Sequence, residues 1–198
     1  MTRHAVRRLR RTGGVAVVAA LLFVGPVRAD DTRVPAPLAD ADIQSEVVDA
    51  VLGYVHYGVF DSVGVSVEDG VVTLTGSVLQ PWHKDDIFKR VAEREGVREV
   101  KNQIRVQPAS TFDDRLRVQL YRQIYGADMF QRYASFANPP IHIVVENGNI
   151  TLTGLVNSRV EKAVLSSIAR GTLAFRVDNQ VQVESDLDKE PAKASRPS

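Results

Sequence analysis

Two stretches of strict apolar alternation stand out along the chain. Val63, Val65 and Val67 lead into Asp69-Gly70, and Val72 and Leu74 follow; later Ile141, Ile143 and Val145 lead into Asn147-Gly148, followed by Ile150 and Leu152. A period of two predicts half-buried strands. Asp-Gly or Asn-Gly between two such strands predicts a two-residue hairpin, because that turn needs positive φ at both central residues. Elsewhere the period is helical. Asp42 is placed as an N-cap before Ile43, Val47 and Val51, and Thr111 with Asp114 as a capping box before Leu116, Leu120 and Ile124. A second helix follows each hairpin. In the first, Pro81 opens a face of Ile87, Phe88, Val91 and Ala92; in the second, Ser158 and Glu161 cap a face of Val164, Leu165, Ile168 and Ala169.

The two series are copies. Val67-Glu68-Asp69-Gly70-Val71-Val72-Thr73-Leu74-Thr75-Gly76-Ser77-Val78 returns as Val145-Glu146-Asn147-Gly148-Asn149-Ile150-Thr151-Leu152-Thr153-Gly154-Leu155-Val156, 78 residues on. A closing strand, Val100-Lys101-Asn102-Gln103-Ile104-Arg105-Val106, returns as Val177-Asp178-Asn179-Gln180-Val181-Gln182-Val183, 77 residues on. Short motifs kept in order at nearly fixed spacing argue for a duplicated domain. A helix between the second hairpin strand and the closing strand permits a right-handed crossover and makes those two strands parallel. The fold class is therefore α+β: two tandem αββαβ units, each a small mixed three-stranded sheet with two helices on one face.

The ends lack this periodicity. Arg3, Arg7, Arg8, Arg10 and Arg11, an uncharged apolar run from Gly13 to Val24, and Val27-Arg28-Ala29 read as a signal peptide over 1–29, cleaved after Ala29. An uncleaved inner-membrane anchor is the alternative, although the run is well short of the roughly 20 residues that span a bilayer. Residues 30–41 form an N-terminal tail, 42–107 the first unit, 108–111 a linker, 112–184 the second unit and 185–198 a disordered C-terminal tail. Six of the 25 Lys and Arg lie in 1–29 and all 24 Asp and Glu lie beyond, so the remainder carries a net charge of −5. That balance argues against a nucleic-acid partner. With no cysteine there is no disulfide, thiol chemistry or zinc-cysteine site. Each unit must be held by its own small apolar core.

The repeated marks resemble the BON domain family: the Asn/Asp-Gly turn, the Val-Thr-Leu-x-Gly-x-Val strand and the closing Val-x-Asn-x-Ile/Val-x-Val strand. Gly96-Val97 ahead of the closing strand fits the family in the first unit. In the second, Leu173 stands in that place and Gly171 lies two residues earlier, so the end of its second helix is expected to be distorted. The resemblance implies a non-catalytic periplasmic module of osmotic and envelope stress, and association with anionic phospholipid surfaces. The absence of a cysteine implies that the chain is not lipid-anchored.

Catalytic signatures are sparse. His56, His83 and His142 have no second His at ligand spacing, and phosphate loops and Gly-x-Ser-x-Gly are missing. No enzyme, cofactor, metal or small-molecule substrate is expected; only convergence of His83 or His142 with carboxylates would revive a hydrolase. His142, between Ile141 and Ile143, takes the alternate face of its strand. The turn glycines Gly70, Gly76, Gly148 and Gly154 serve backbone geometry.

The sharpest functional sign lies in the first helix of the second unit. Beside its core stripe runs a second one of Val118, Tyr121 and Tyr125, edged by Arg115 and Arg122 on one side and Arg117 on the other. The arc of Arg115 and Arg122 carries Asp42 and Asp49 in the first unit. Phe130, Arg132, Tyr133 and Phe136 continue the mixture. Tyrosines beside arginines suit an anionic interface, with rings at headgroup depth and guanidiniums on phosphates. The same aromatics could instead pack against the first unit or close the core. The partner is accordingly an anionic phospholipid, with a protein of the envelope as the alternative.

Overall fold

The computed structural model describes residues 38–187. The expected signal peptide and most of both tails lie outside them. Among the described residues, no helix is long and apolar enough to cross a membrane.

Module one comprises α1 (Asp40–Leu52), β1 (Ser62–Glu68), β2 (Val71–Val78), α2 (Pro81–Ala92), β3 (Glu99–Asn102) and β4 (Arg105–Val106). Module two repeats it with α3 (Thr111–Tyr125), a short α4 (Gln131–Ala134), β5 (Ile141–Glu146), β6 (Asn149–Val156), α5 (Arg159–Arg170), β7 (Arg176–Asn179) and β8 (Gln182–Val183). A last turn, α6 (Glu184–Leu187), occupies the start of the expected C-terminal tail. In both modules the hairpin is antiparallel and the closing strand, broken in two, runs parallel to the hairpin's second strand. One core joins Ile43, Val47 and Val51 to Ile87, Val91, Val72, Leu74 and Val78. The other joins Leu116, Leu120 and Ile124 to Leu165, Ala169, Ile143, Ile150 and Leu152.

The repeated residues perform repeated tasks. Asp69, Gly70, Asn147 and Gly148 all have positive φ, as the hairpin turn demands. The Asp40 carboxylate accepts the N–H groups of Asp69 and Gly70 at 2.8 and 2.9 Å; Asp113 does the same for Asn147 and Gly148 at 2.9 and 2.7 Å. Gly76 and Gly154 sit at φ 99° and 105°, where an added Cβ would overlap the carbonyl oxygens of Ser62 and Pro140. Asn102 explains the break in the closing strand: its amide donates to Lys84 O on α2 at 3.3 Å while its oxygen accepts Ile104 N–H at 3.1 Å. Asn179 repeats both bonds with Lys162 O and Val181 N–H, at 2.8 and 3.2 Å.

Several local expectations are corrected. Helix α1 starts at Asp40 after Ala39, so Asp42 lies inside its first turn. Ser110, not Thr111, caps α3, accepting Asp113 N–H at 3.2 Å. Ser158 caps α5 as expected, but the Glu161 carboxylate takes the N–H of Asn157. Phe88 and Ala92 are exposed, and Ile87 and Val91 alone carry α2's core face. The end of α5 is regular: the Gly171 N–H bonds to Ser167 O and Ile168 O, and the departure is confined to the loop beyond.

Candidate functional site

Helix α3 presents two arcs besides its core stripe. On the outer arc Arg115, Val118 and Arg122 are exposed and line a shallow apolar depression with Asp114, Gln119 and Gln123. Tyr121, 42% exposed, borders this arc and leans on Phe60 of module one, ring centroids 6.2 Å apart. Neither Arg115 nor Arg122 forms an ion pair among the described residues. The matching positions of α1 hold Asp42 and Asp49, since Asp40 and Asp113 fix the alignment of the two helices.

Three of the candidate residues belong to the interior. Arg117 is only 2% exposed. Its guanidinium donates to Gln107 Oε1 at 3.0 and 3.2 Å, to Val145 O at 2.5 Å and to Asp114 Oδ1 at 2.5 Å, tying the end of the first unit to β5. Gln107 in turn donates to Phe60 O at 2.6 Å. Buried guanidiniums persist where their fork finds several acceptors, as here. Tyr125 is buried and donates to Ile141 O at 2.5 Å; burial raises its phenol above the ordinary range. Tyr133 is buried against Phe130, its hydroxyl donating to Glu161 Oε2 at 2.9 Å. Arg132 is exposed but engaged, stacked over Tyr133 and paired with Glu161. Of the seven candidates, Arg115, Tyr121 and Arg122 share an accessible face.

Module one also packs on module two. Val59 and Phe60, in the α1–β1 loop, pack on the core of module two. Val59 O accepts Ile143 N–H at 2.7 Å, and Gly58 O lies 3.2 Å from His142 Nδ1. His142 thus faces module one from the alternate side of β5, with Tyr57 5.3 Å away. Burial lowers its pKa below the ordinary 6.5 and raises that of Tyr57 to about 12. Beside these contacts a polar cleft of about 330 Å³ runs between the modules, bordered by Ser62, Arg105, Glu146, Thr151 and Thr153.

One histidine does meet a carboxylate: His83 Nδ1 lies 3.0 Å from Asp61 Oδ2. Asp61 also accepts Leu79 N–H at 2.7 Å and Gly58 N–H at 3.1 Å. The pair occupies the position of Glu161, which takes the equivalent N–H of Asn157 in module two. Its duty is therefore to satisfy buried backbone at a helix start. Among the described residues no hydroxyl hydrogen-bonds to the His83 ring. Nor do three or more His, Asp or Glu side chains converge there as a metal site.

Sequence pattern gave no role to Leu173 and Phe175, in the loop after α5. They are 81% and 79% exposed. The available sign was the missing Gly-Val ahead of the closing strand.

Two hairpins, each closed by a crossover helix and a parallel strand broken at an Asn, define a duplicated α+β module. The BON domain matches residues 39–108 and 127–185, and the chain belongs to the BON domain family. The second match starts beyond α3. BON domains are typically periplasmic or envelope-associated and generally non-catalytic. Two solved structures of CdsD, a structural protein of the type III secretion system of Chlamydia trachomatis, are similar. Its C-terminal domain is 16% identical, over 77% of this chain and 69% of that one, with a TM-score of 0.31. The other is 14% identical, over 79% and 100%, with a TM-score of 0.28. No protein of curated function matches the chain.

Proposed function

We propose that the chain is a non-catalytic protein of the periplasm that associates reversibly with anionic phospholipid surfaces through module two. One observation carries this reading: the outer arc of the first helix, acidic at Asp42 and Asp49 in module one, becomes basic at Arg115 and Arg122 in module two, around exposed Val118 and Tyr121. The repeated residues are occupied by folding tasks, so a specific function resides where the copies differ. Each basic group near an anionic surface contributes about 1 kcal/mol, which suits attachment that salt can reverse.

The test is flotation of the protein with phosphatidylglycerol vesicles against phosphatidylcholine vesicles. Binding is expected to the anionic vesicles only, and to weaken strongly in Arg115→Glu/Arg122→Glu. Co-purification of an envelope protein, with indifference to lipid charge and salt, would instead favour an adaptor.

A further inference from the structure

The basic arc does not say which part of module two enters the lipid. The far end of the module, where α3 begins and α5 ends, offers an answer. There the loop after α5 projects Leu173 and Phe175 almost wholly into solvent. The projection is built. Gly171 N–H and Thr172 Oγ1 close the helix end, Phe175 N–H bonds to Gly148 O at 2.8 Å, and the Phe175 ring stacks on Phe112 at 5.9 Å. Exposed arginines lie close to it along the chain: Arg170 ends α5, Arg176 follows Phe175, and Arg115 lies three residues along α3 from Phe112. None of the three forms an ion pair among the described residues.

Module one lacks this apolar point at the matching end, where its loop is one residue longer. Arg98, whose N–H bonds to Gly70 O, holds the place of Phe175. Glu99 pairs with β2 where Arg176 pairs with β6. Asp42 stands for Arg115, and the loop carries Glu93, Glu95 and Gly96, with Val97 partly buried in the core. The second copy has thus exchanged a charged, partly acidic end for an apolar point with exposed cations near it in the chain. Near two other exposed apolars, Phe136 and Val160, the arginines Arg132 and Arg159 are instead paired with Glu161 and Asp186.

We infer that this end of module two is the membrane-entering element, with Leu173 and Phe175 passing the headgroups of an anionic bilayer and Arg115, Arg170 and Arg176 resting on phosphates. The inference rests on the lipid reading above. Large apolar side chains beside basic ones favour this depth. Arg122, seven residues beyond Arg115, lies about 10 Å farther along α3 from this end at 1.5 Å per residue.

Vesicle flotation of the full chain decides it, with phosphatidylglycerol vesicles as the probe. Leu173→Asp removes an exposed side chain from a solvated loop and leaves the fold intact, as circular dichroism should show. It is expected to weaken partitioning more than tenfold, and Arg115→Glu to weaken it more than Arg122→Glu. A second readout places tryptophan at the point: Trp82→Phe/Phe175→Trp should shift to the blue with anionic vesicles and be quenched by bromine in the acyl chains. If the wild type floats but Leu173→Asp floats equally well and the new tryptophan stays in water, the inference fails while the lipid reading stands. Failure of the wild type to float at low salt overturns both. A wild-type dimer dissociated by Leu173→Asp would make the point a self-association surface and also overturn the inference.

Discussion

The two modules share a backbone and differ at their surfaces, and the division between shared and unshared residues separates folding from function. The shared residues, Asp40 and Asp113, Gly76 and Gly154, Asn102 and Asn179, perform matched backbone tasks. Where the modules differ, even identical needs are met by different groups. Before the second helix, module one satisfies Leu79 N–H with Asp61 held by His83, whereas module two satisfies Asn157 N–H with Glu161 held by Tyr133 and Arg132. The histidine–carboxylate contact of module one thus stands where module two has a buried cap.

The comparison can be broken at the glycines first. Gly154→Ala and Gly76→Ala each place a Cβ against a carbonyl oxygen at positive φ. Each should cost about 3 kcal/mol or more in urea unfolding, through strain and overpacking. Tolerance of either would mean that the copies do not share this device.

The turn carboxylates sharpen it further. Asp113 is fully buried and Asp40 half-buried, although both accept two N–H groups. Asp113→Ala should cost about 3 kcal/mol and Asp40→Ala about 1 kcal/mol, because water can replace the partner only at Asp40. Equal losses would show that the environments are alike.

The smallest effect is a pH dependence that module one lacks, since its matching strand position is Gly64. His142 has a lowered pKa through burial, so the unfolded chain takes the proton first. Its contribution is present above pH 6.5 and declines as pH falls through 6.5 toward the lower folded value. Denaturation midpoints at pH 7.5 and 5.5 should therefore converge in His142→Gln relative to wild type.

Both hairpins, the crossover helices and the parallel closing strands were legible in the sequence, because turn chemistry and period are local. The split surface of α3 was not. Periodicity places Arg117 and Tyr125 around a helix, but their burial depends on Val59, Phe60, Gln107 and β5 arriving from elsewhere in the chain. Tyr121 and Tyr125 share a stripe, yet only the latter reaches a strand carbonyl. Leu173 drew notice as a departure from the family, but its exposure follows from a loop one residue shorter than its twin.

The bond from Ile143 N–H to Val59 O has a further consequence. It seals the side of β5 turned away from β6, the kind of open border through which β-proteins recruit foreign strands. Severed from its predecessor, the second half would bare that border beside Val144 and His142, and should turn sticky. Duplication here made a dependent sibling, whose solubility is on loan from the copy before it.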